Sequence, residues 1–527
     1  MNSTLHWLDY SIVAATVVAT VAFGLWFARR QDSSDKYFAG ARRAPSWVVG
    51  TSIFATLISS VTFLAYPAAA YKGNWILLVQ GLMAPVAVIG MAWVIVPLFR
   101  RVIRLSAYEY FERRFGFFAR MYSSIAFCFT HFAKMGTVMY LLALALNSVA
   151  GFNLVTTIVV LGTAVILLTL LGGMEAVLWM DLAQGLLMIG GGILCLGVLL
   201  FSTKGGPVAA AGKALEWEKI GFGPHGWDFS SLTFVVMAIN GLFYGVQKYG
   251  TDQTIVQRYL AAKNDRGAKR AAYIGVSMSV VLWTLFMLIG TMLYVFYRVN
   301  ADAALALPDG IKADAVFPYF IKTQLPAGVI GLVLAALISS GISTLDADLN
   351  SLAAVGVQDY YQRFRPHCTD RQRLNMGRLL VLLAGLGCMA VALLYVAWDG
   401  EGVLGVVFEL YAIFSAGIVG MFLLGLLSKR ANKRGLYAGI AACVLFTAYA
   451  VLTTTSVTIG GTQRLLLDLG SCNFPHHKLM LGVYSHLIVL VVGWLASFLF
   501  AKPDEKSLEN LTIHAYFKQS RKQSQIR

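Results

Sequence analysis

The chain of 527 residues is 58% hydrophobic and only 13% charged, with a mean hydropathy of +0.69, which exceeds the needs of a soluble core and places it among polytopic membrane proteins. A formal charge of +16 invites a nucleic-acid reading, but the Lys and Arg fall mainly in alternate inter-helix loops and the C-terminal tail, the positive-inside pattern, so no nucleic-acid partner is expected. The six cysteines are scattered without a CxxC spacing, which implies neither a disulfide framework nor a zinc site.

The first apolar run, about 8–28, has no basic residue ahead of it and is followed by ARRQDSSDKYFAGARR. That charge order is the reverse of a signal peptide's, so the run is expected to be a retained helix with its N-terminus outside. Further runs long enough to span a bilayer fall at about 46–71, 74–99, 117–149, 153–171, 174–202, 231–256, 271–297, 326–356, 376–397, 402–428, 435–455 and 479–501, thirteen spans in all. Threaded alternately, they put RRVIR, ERRFGFFAR, RYLAAKNDRGAKR, QRFRPHCTDRQR, SKRANKR and the tail 502–527 on the cytoplasmic side of a cell membrane. SAYEYFERRFG is too polar to cross and reads as an interfacial helix, and 203–230 and 298–325 read as external loops.

Polar interruptions concentrate in a few spans. In the second, Thr56, Ser59, Ser60 and Thr62 precede Pro67, which is expected to break the helix and expose carbonyls. The seventh contains Gly241, Gly245 and Gly250 among Asn240, Gln247, Lys248, Thr251 and Asp252. Two interrupted spans five apart point to an inverted-repeat transporter with its solute at the midplane; the alternative is a pair of kinked structural helices. In the fourth span, Thr130, Lys134 and Thr137 share a stripe with His131 beside it, and the sixth carries Asp181 with Gln184 one turn on. Lys134 either pairs with Asp181 or Asp346 or meets a carboxylate or sugar hydroxyl of a ligand. Glu409, in the eleventh span, reads as a local cap or pair.

In the ninth span, ISSGISTLDADLNS places Ser339, Ser343, Asp346 and Asn350 within about 60° of one another, with Asp348 on the opposite side. A carboxylate near the bilayer centre costs about 2.5–3.5 kcal/mol, so it is kept where it faces a cavity, a cation or a partner charge. Hard oxygen ligands in one stripe suit Na⁺; the alternative is a polar helix end at the cytoplasmic interface. Cys472 with His476 and His477 offers either a loop-borne metal group or an incidental cluster.

Several motifs in order carry a resemblance: DKYFAGARRAPSW with GTSIFATLISSVTF, SAYEYFERRF, GGMEAVLWMDLAQG, QTIVQRYLAAK and ISTLDADLNSLAAVGVQDYY. On these the chain resembles the sodium:solute symporter family over nearly its whole length, and within it the sialic acid branch. The resemblance implies an all-α inverted-repeat (5+5) LeuT-like fold: one transporter domain over 1–527, with a ten-helix core at 46–428 flanked by one helix before and two after. It implies a Na⁺ site from the carbonyls of Ala55, Ile58 and Ser340 and the hydroxyls of Ser343 and Thr344. A second site would use Asp181, Ser343 and Asp346, but Asp346 stands where a hydroxyl is usual and Ala347 where sialic acid symporters have a serine, which puts the second ion in doubt. The solute pocket would draw on Ser59, Ser60, Thr62, Gln80, His131, Gln247 and Lys248, and on Lys134 where the sialic acid branch has an arginine. Leu57 stands where that branch has a threonine.

The expected function is therefore Na⁺-coupled import of a small polar organic solute, a sugar acid such as sialic acid or a related sugar, by alternating access in a lipid bilayer and without an obligate protein partner. A neutral sugar, a small carboxylate, or a polytopic sensor of a different class remain alternatives. The sequence contains no GK[ST] phosphate loop and no visible nucleophile set or metal cluster, so coupling to an ion gradient is expected and enzyme activity is not.

Overall fold

The computed structural model is almost entirely helical and describes residues 5–28, 31, 33–397, 416–459 and 462–517. Its principal helices are α1 (Trp7–Ala28), α2 (Ser46–Leu57), α3 (Ser60–Lys72), α4 (Ile76–Ala92), α5 (Ile95–Val102), α6 (Phe117–Ala150), α7 (Leu154–Ser202), α8 (Phe234–Gly250), α9 (Gln253–Ala261), α10 (Asp265–Val299), α11 (Val329–Val355), α12 (Asp370–Ala397), α13 (Ile418–Leu427), α14 (Lys433–Thr454) and α15 (Lys478–Ala496). Among the described residues, eight helices are long and apolar enough to cross a bilayer, and ten if each of two bent pairs counts as one span. The fifth and sixth expected spans run together as α7 and are divided at Gly173, whose φ of 60° a residue with a Cβ rarely adopts. Of the expected span 402–428 only α13 is described in helical form, and Glu409 lies outside the described residues.

The ISSGISTLDADLNS segment sits in α11, and every residue from Val333 to Val355 is buried. This differs from a polar helix end at an interface. Helices α1, α2, α6, α7, α9 and α12 all pack on α11, so its polar stripe is enclosed by protein and needs protein or ion partners.

Both interrupted spans are broken, but not where expected. The α2–α3 pair bends by 59° at Ile58 and Ser59, whose extended backbone ends one helix and caps the next, while Pro67 lies inside α3. The neighbouring helix comes close at this point, where a Cβ on Gly290 of α10 would stand 2.2 Å from the Pro67 carbonyl oxygen. In the seventh span the helix runs unbroken through Gly241 and Gly245 and gives way at Thr251 and Asp252. The two glycines serve close packing instead, since a Cβ at 241 would meet Gln80 Cα at 2.8 Å and one at 245 would meet Ala87 Cβ at 2.7 Å.

The segment expected at the interface forms a short helix, Glu109–Phe115, with Tyr110, Phe111 and Phe115 buried. Arg114 anchors it by donating to the carbonyls of Gly425, Ser428 and Ala431, which satisfies the backbone at the end of α13. The two expected external loops are not featureless; they carry the helices Gly206–Glu216, Ala301–Ala306 and Ala313–Gln324. All six cysteines are free.

Candidate functional site

Where α2 stops, the carbonyls of its last turn lose their helical partners. Two of them turn toward α11: Ser343 Oγ lies 3.2 Å from the Ala55 carbonyl and 3.2 Å from that of Ser340, and Thr344 Oγ1 lies 3.2 Å from the Ile58 carbonyl and 3.0 Å from that of Ser340. All five residues are buried. Each hydroxyl has one proton, so it can donate to only one of the two carbonyls it faces. The cluster therefore holds more acceptor oxygen than its own protons satisfy, at the negative end of a half-helix. Adjacent oxygens around a cation bound at about 2.3–2.6 Å stand roughly 3.3–3.7 Å apart, close to the separations here, and the all-oxygen donor set fits a hard cation.

Beside this cluster opens a cavity lined by Ser59, Thr62, Gln80, Lys134, Gln247 and Lys248, together with Thr56, Thr137 and Asn240. Tyr66, Phe243, Tyr244 and Trp283 supply apolar and aromatic wall. The arrangement suits a polar solute: hydroxyl and amide groups for hydrogen bonds, ammonium groups for negative charge, and ring faces for carbon. The final helix, α15, also contributes, through Leu479, Gly482, Val483 and His486. His486 is buried, its Nδ1 has no hydrogen-bond partner among the described residues, and its ring is stacked 5.6 Å from that of Phe243.

Ser60 and His131 do not line this cavity. Ser60 Oγ donates to the Val138 carbonyl at 2.8 Å and so ties α3 to α6. His131 lies behind the wall, with Nδ1 2.9 Å from Asp348 and Nε2 3.3 Å from Asp252. Lys134 Nζ is 3.0 Å from Asp348, and Lys248 Nζ is 2.5 Å from Asp252. Lys134 thus pairs with neither Asp181 nor Asp346. The reason is helical period: residues 346 and 348 are about 200° apart around α11, so Asp348 faces α6 while Asp346 faces α7. Lys134 lines the cavity and carries a carboxylate partner at the same time.

Asp181 accepts from Ser52 Oγ at 2.5 Å and from Arg258 at 2.9 Å, and Arg258 also donates to Ser52 Oγ and the Thr254 carbonyl. Both charged groups of this pair are 1% exposed. Asp346 lies 2.7 Å from Thr169 Oγ1. Asp181, Ser343 and Asp346 therefore each have a different protein partner. Arg258, Ser52 and Thr169 went unread in the sequence: Arg258 falls just past the expected span 231–256, at the start of RYLAAKNDRGAKR, where a basic residue reads as a loop charge and not as the partner of a buried acid. In the loop ahead of α15, His476 bonds Tyr484 and His477 caps the Leu479 amide, and no metal-type cluster of His, Cys, Asp and Glu occurs among the described residues.

Residues 37–443 match the sodium:solute symporter family. The sodium/sialic acid symporter NanT of Aliivibrio fischeri is 32% identical over 94% of this chain and 93% of its own length. The sodium/sialic acid symporter SiaT of Proteus mirabilis is 30% identical over 86% of this chain and 94% of its own. A solved structure of a Na⁺-coupled sialic acid symporter, substrate-bound and outward-open, superposes with a TM-score of 0.85 at 27% identity, covering 94% of this chain and 99% of that one.

Proposed function

We propose that this chain, which belongs to the sodium:solute symporter family, imports an anionic sugar acid, sialic acid foremost, together with Na⁺. It is a multi-pass membrane transporter of the inverted-repeat fold, driven by Na⁺, and not an enzyme. The observation that carries the choice of solute is the pair Lys134 and Lys248 in the wall of a cavity otherwise furnished with Ser59, Thr62, Gln80 and Gln247. Ammonium groups answer a carboxylate, and hydroxyls and amides answer a polyol. The names of the NanT and SiaT relatives support the same reading.

The Na⁺ site of this reading is built from the carbonyls of Ala55, Ile58 and Ser340 and the hydroxyls of Ser343 and Thr344. Because Arg258 already gives Asp181 a cation, we assign one Na⁺ per solute, with no second ion at Asp181, Ser343 and Asp346. The single domain spans 1–527, its ten-helix core 46–428 flanked by 8–28 and 435–501, in the cell membrane with the N-terminus outside and the tail 502–527 inside. It works in the bilayer without an obligate protein partner.

Uptake of labelled sialic acid, neutral sugars and small carboxylates into proteoliposomes, with and without a Na⁺ gradient, tests this. Na⁺-dependent sialic acid uptake is the expected result. Transport of a neutral sugar in its place would overturn the choice of solute and leave the Na⁺ coupling standing.

A further inference from the structure

Helix α15 lies C-terminal to the assigned ten-helix core, yet one face of it closes the solute cavity. Leu479, Gly482, Val483 and His486 line that cavity, and their spacing of three, four and seven residues puts them in a single stripe. Three of the four are apolar or lack a side chain. At Gly482 a Cβ would meet nothing within 4 Å, so the wall is recessed there, one turn from His486. His486 supplies the polar group of the stripe.

Its placement is fixed from two sides. A Cβ at Gly420 of α13 would stand 2.0 Å from the His486 carbonyl oxygen, so the two helices meet backbone to backbone at residue 486. The imidazole stacks on the ring of Phe243, with centroids 5.6 Å apart and planes inclined by 21°. His486 is 3% exposed, and its Nδ1 has no hydrogen-bond partner among the described residues. A second polar atom of this wall is in the same state. Asn240 of α8 donates to the Leu479 carbonyl at 3.1 Å, which ties α8 to the first turn of α15, while its Oδ1 has no partner among the described residues. Buried polar atoms are almost always paired, so two such atoms in the wall of one cavity mark where a ligand completes the bonding.

The chemistry of that ligand group follows from where the charges lie. Lys248 comes five residues after Phe243 and eight after Asn240 on the continuous helix α8, about 7.5 and 12 Å along its axis. A solute whose carboxylate meets the lysines therefore turns its uncharged, hydroxyl-bearing part toward Phe243, Asn240 and His486. A neutral imidazole has one N–H and one lone pair, and a hydroxyl also both donates and accepts, so the two match in either tautomer.

We infer that His486 is a specificity-determining residue that hydrogen-bonds a hydroxyl of the solute, with Asn240 Oδ1 as the neighbouring acceptor, and so makes the flanking helix α15 part of the solute site. This rests on the reading of the solute as a sugar acid. A solute lacking that hydroxyl leaves the imidazole buried without a partner and is rejected.

Competition against labelled sialic acid uptake, in proteoliposomes containing the full chain, compares sialic acid and its monodeoxy derivatives on the wild type, His486→Phe and His486→Gln. Phe keeps a ring against Phe243 but has no nitrogen, and Gln keeps a donor and an acceptor. In His486→Phe, sialic acid should bind about tenfold more weakly, the worth of one neutral hydrogen bond. The derivative lacking the partnered hydroxyl should lose nothing further, while every other derivative loses the same tenfold as the parent. His486→Gln should recover part of the loss. A merely structural role would weaken all derivatives alike, and that result, or an unchanged affinity, overturns the inference. If His486→Phe does not fold, wild-type protein labelled with ¹⁵N-histidine decides. The ring signal assigned to His486 by its loss in His486→Gln should shift with sialic acid and stay in place with one monodeoxy derivative; no shift with sialic acid, or the same shift with every derivative, overturns the inference. If a neutral hexose is transported in place of sialic acid, the choice of solute fails, and the same comparison on that hexose and its monodeoxy derivatives decides His486. Transport of only a small carboxylate without hydroxyls overturns both.

Discussion

Thr344 of α11 holds its hydroxyl 3.2 Å from the carbonyl of Ile58, the residue at which α2 ends. One helix break and one polar stripe thereby meet, at the place where the proposed function puts the Na⁺. Replacing Thr344 and Ser343 by Ala removes both hydroxyls and leaves the carbonyls in place. A contact of this kind to a charged group is worth about 1.5–3 kcal/mol, so the double variant should need at least about tenfold more Na⁺ for half-maximal uptake. An unchanged Na⁺ dependence would remove Ser343 and Thr344 from the site.

The two lysines in the cavity wall separate solute charge from solute shape. Lys134→Met should weaken binding of an acid by about 10- to 100-fold, the worth of one charge-assisted hydrogen bond, and affect its neutral amide far less. Lys248→Met should do the same if both ammonium groups reach the solute. Equal losses for acid and amide, measured by competition against labelled uptake, would mean that these lysines serve only Asp348 and Asp252.

How far the sequence can be read differs from residue to residue, for physical reasons. Break and stripe were legible because a carboxylate in a span needs a partner, and Ser and Thr gather on the same face as Asp346. The position of a break was not: Pro67 carries a strong local signal, yet it lies inside α3, and the chain breaks at Ile58 and Ser59 instead. The same holds for Asp348, whose place opposite Asp346 follows from the helical period while its partners on α6 do not. His486 was missed because α15 stands outside the repeated core and a lone histidine in an apolar run has no pattern around it.

Asp181 and Arg258 form a pair almost wholly sealed from solvent, each 1% exposed. Removing one member of such a pair strands a buried charge and costs about 3–5 kcal/mol, whereas removing both is far milder. Asp181→Ala should therefore lower the thermal unfolding midpoint in detergent well beyond Asp181→Ala combined with Arg258→Met. Asp346, held by the neutral Thr169, has no such partner among its hydrogen bonds, and Asp346→Ser should be the gentler change. Charge moved per solute should also be the same in Asp346→Ser as in the wild type if one Na⁺ is carried. A lower value would return Asp346 to the ion count.

The contact between Gly290 and Pro67 ties packing to transport. A Cβ at 290 would come within 2.2 Å of the Pro67 carbonyl oxygen and 2.6 Å of its Cα, both backbone atoms that no side-chain rotation can move aside. Gly290→Ala must push α10 away from α3, the half-helix whose first turn includes Thr62 in the cavity wall. Misfit of this kind costs about 1–3 kcal/mol, so the variant should unfold at a lower temperature and lose solute affinity together. Gly190 of α7 provides the control. Its Cβ would meet nothing within 4 Å, and Ala is the better helix former by about 1 kcal/mol, so Gly190→Ala should be neutral or slightly stabilising with uptake unchanged. Thermal unfolding and uptake measured on both variants decide the point, and equal behaviour would mean that α10 and α3 do not need this close approach.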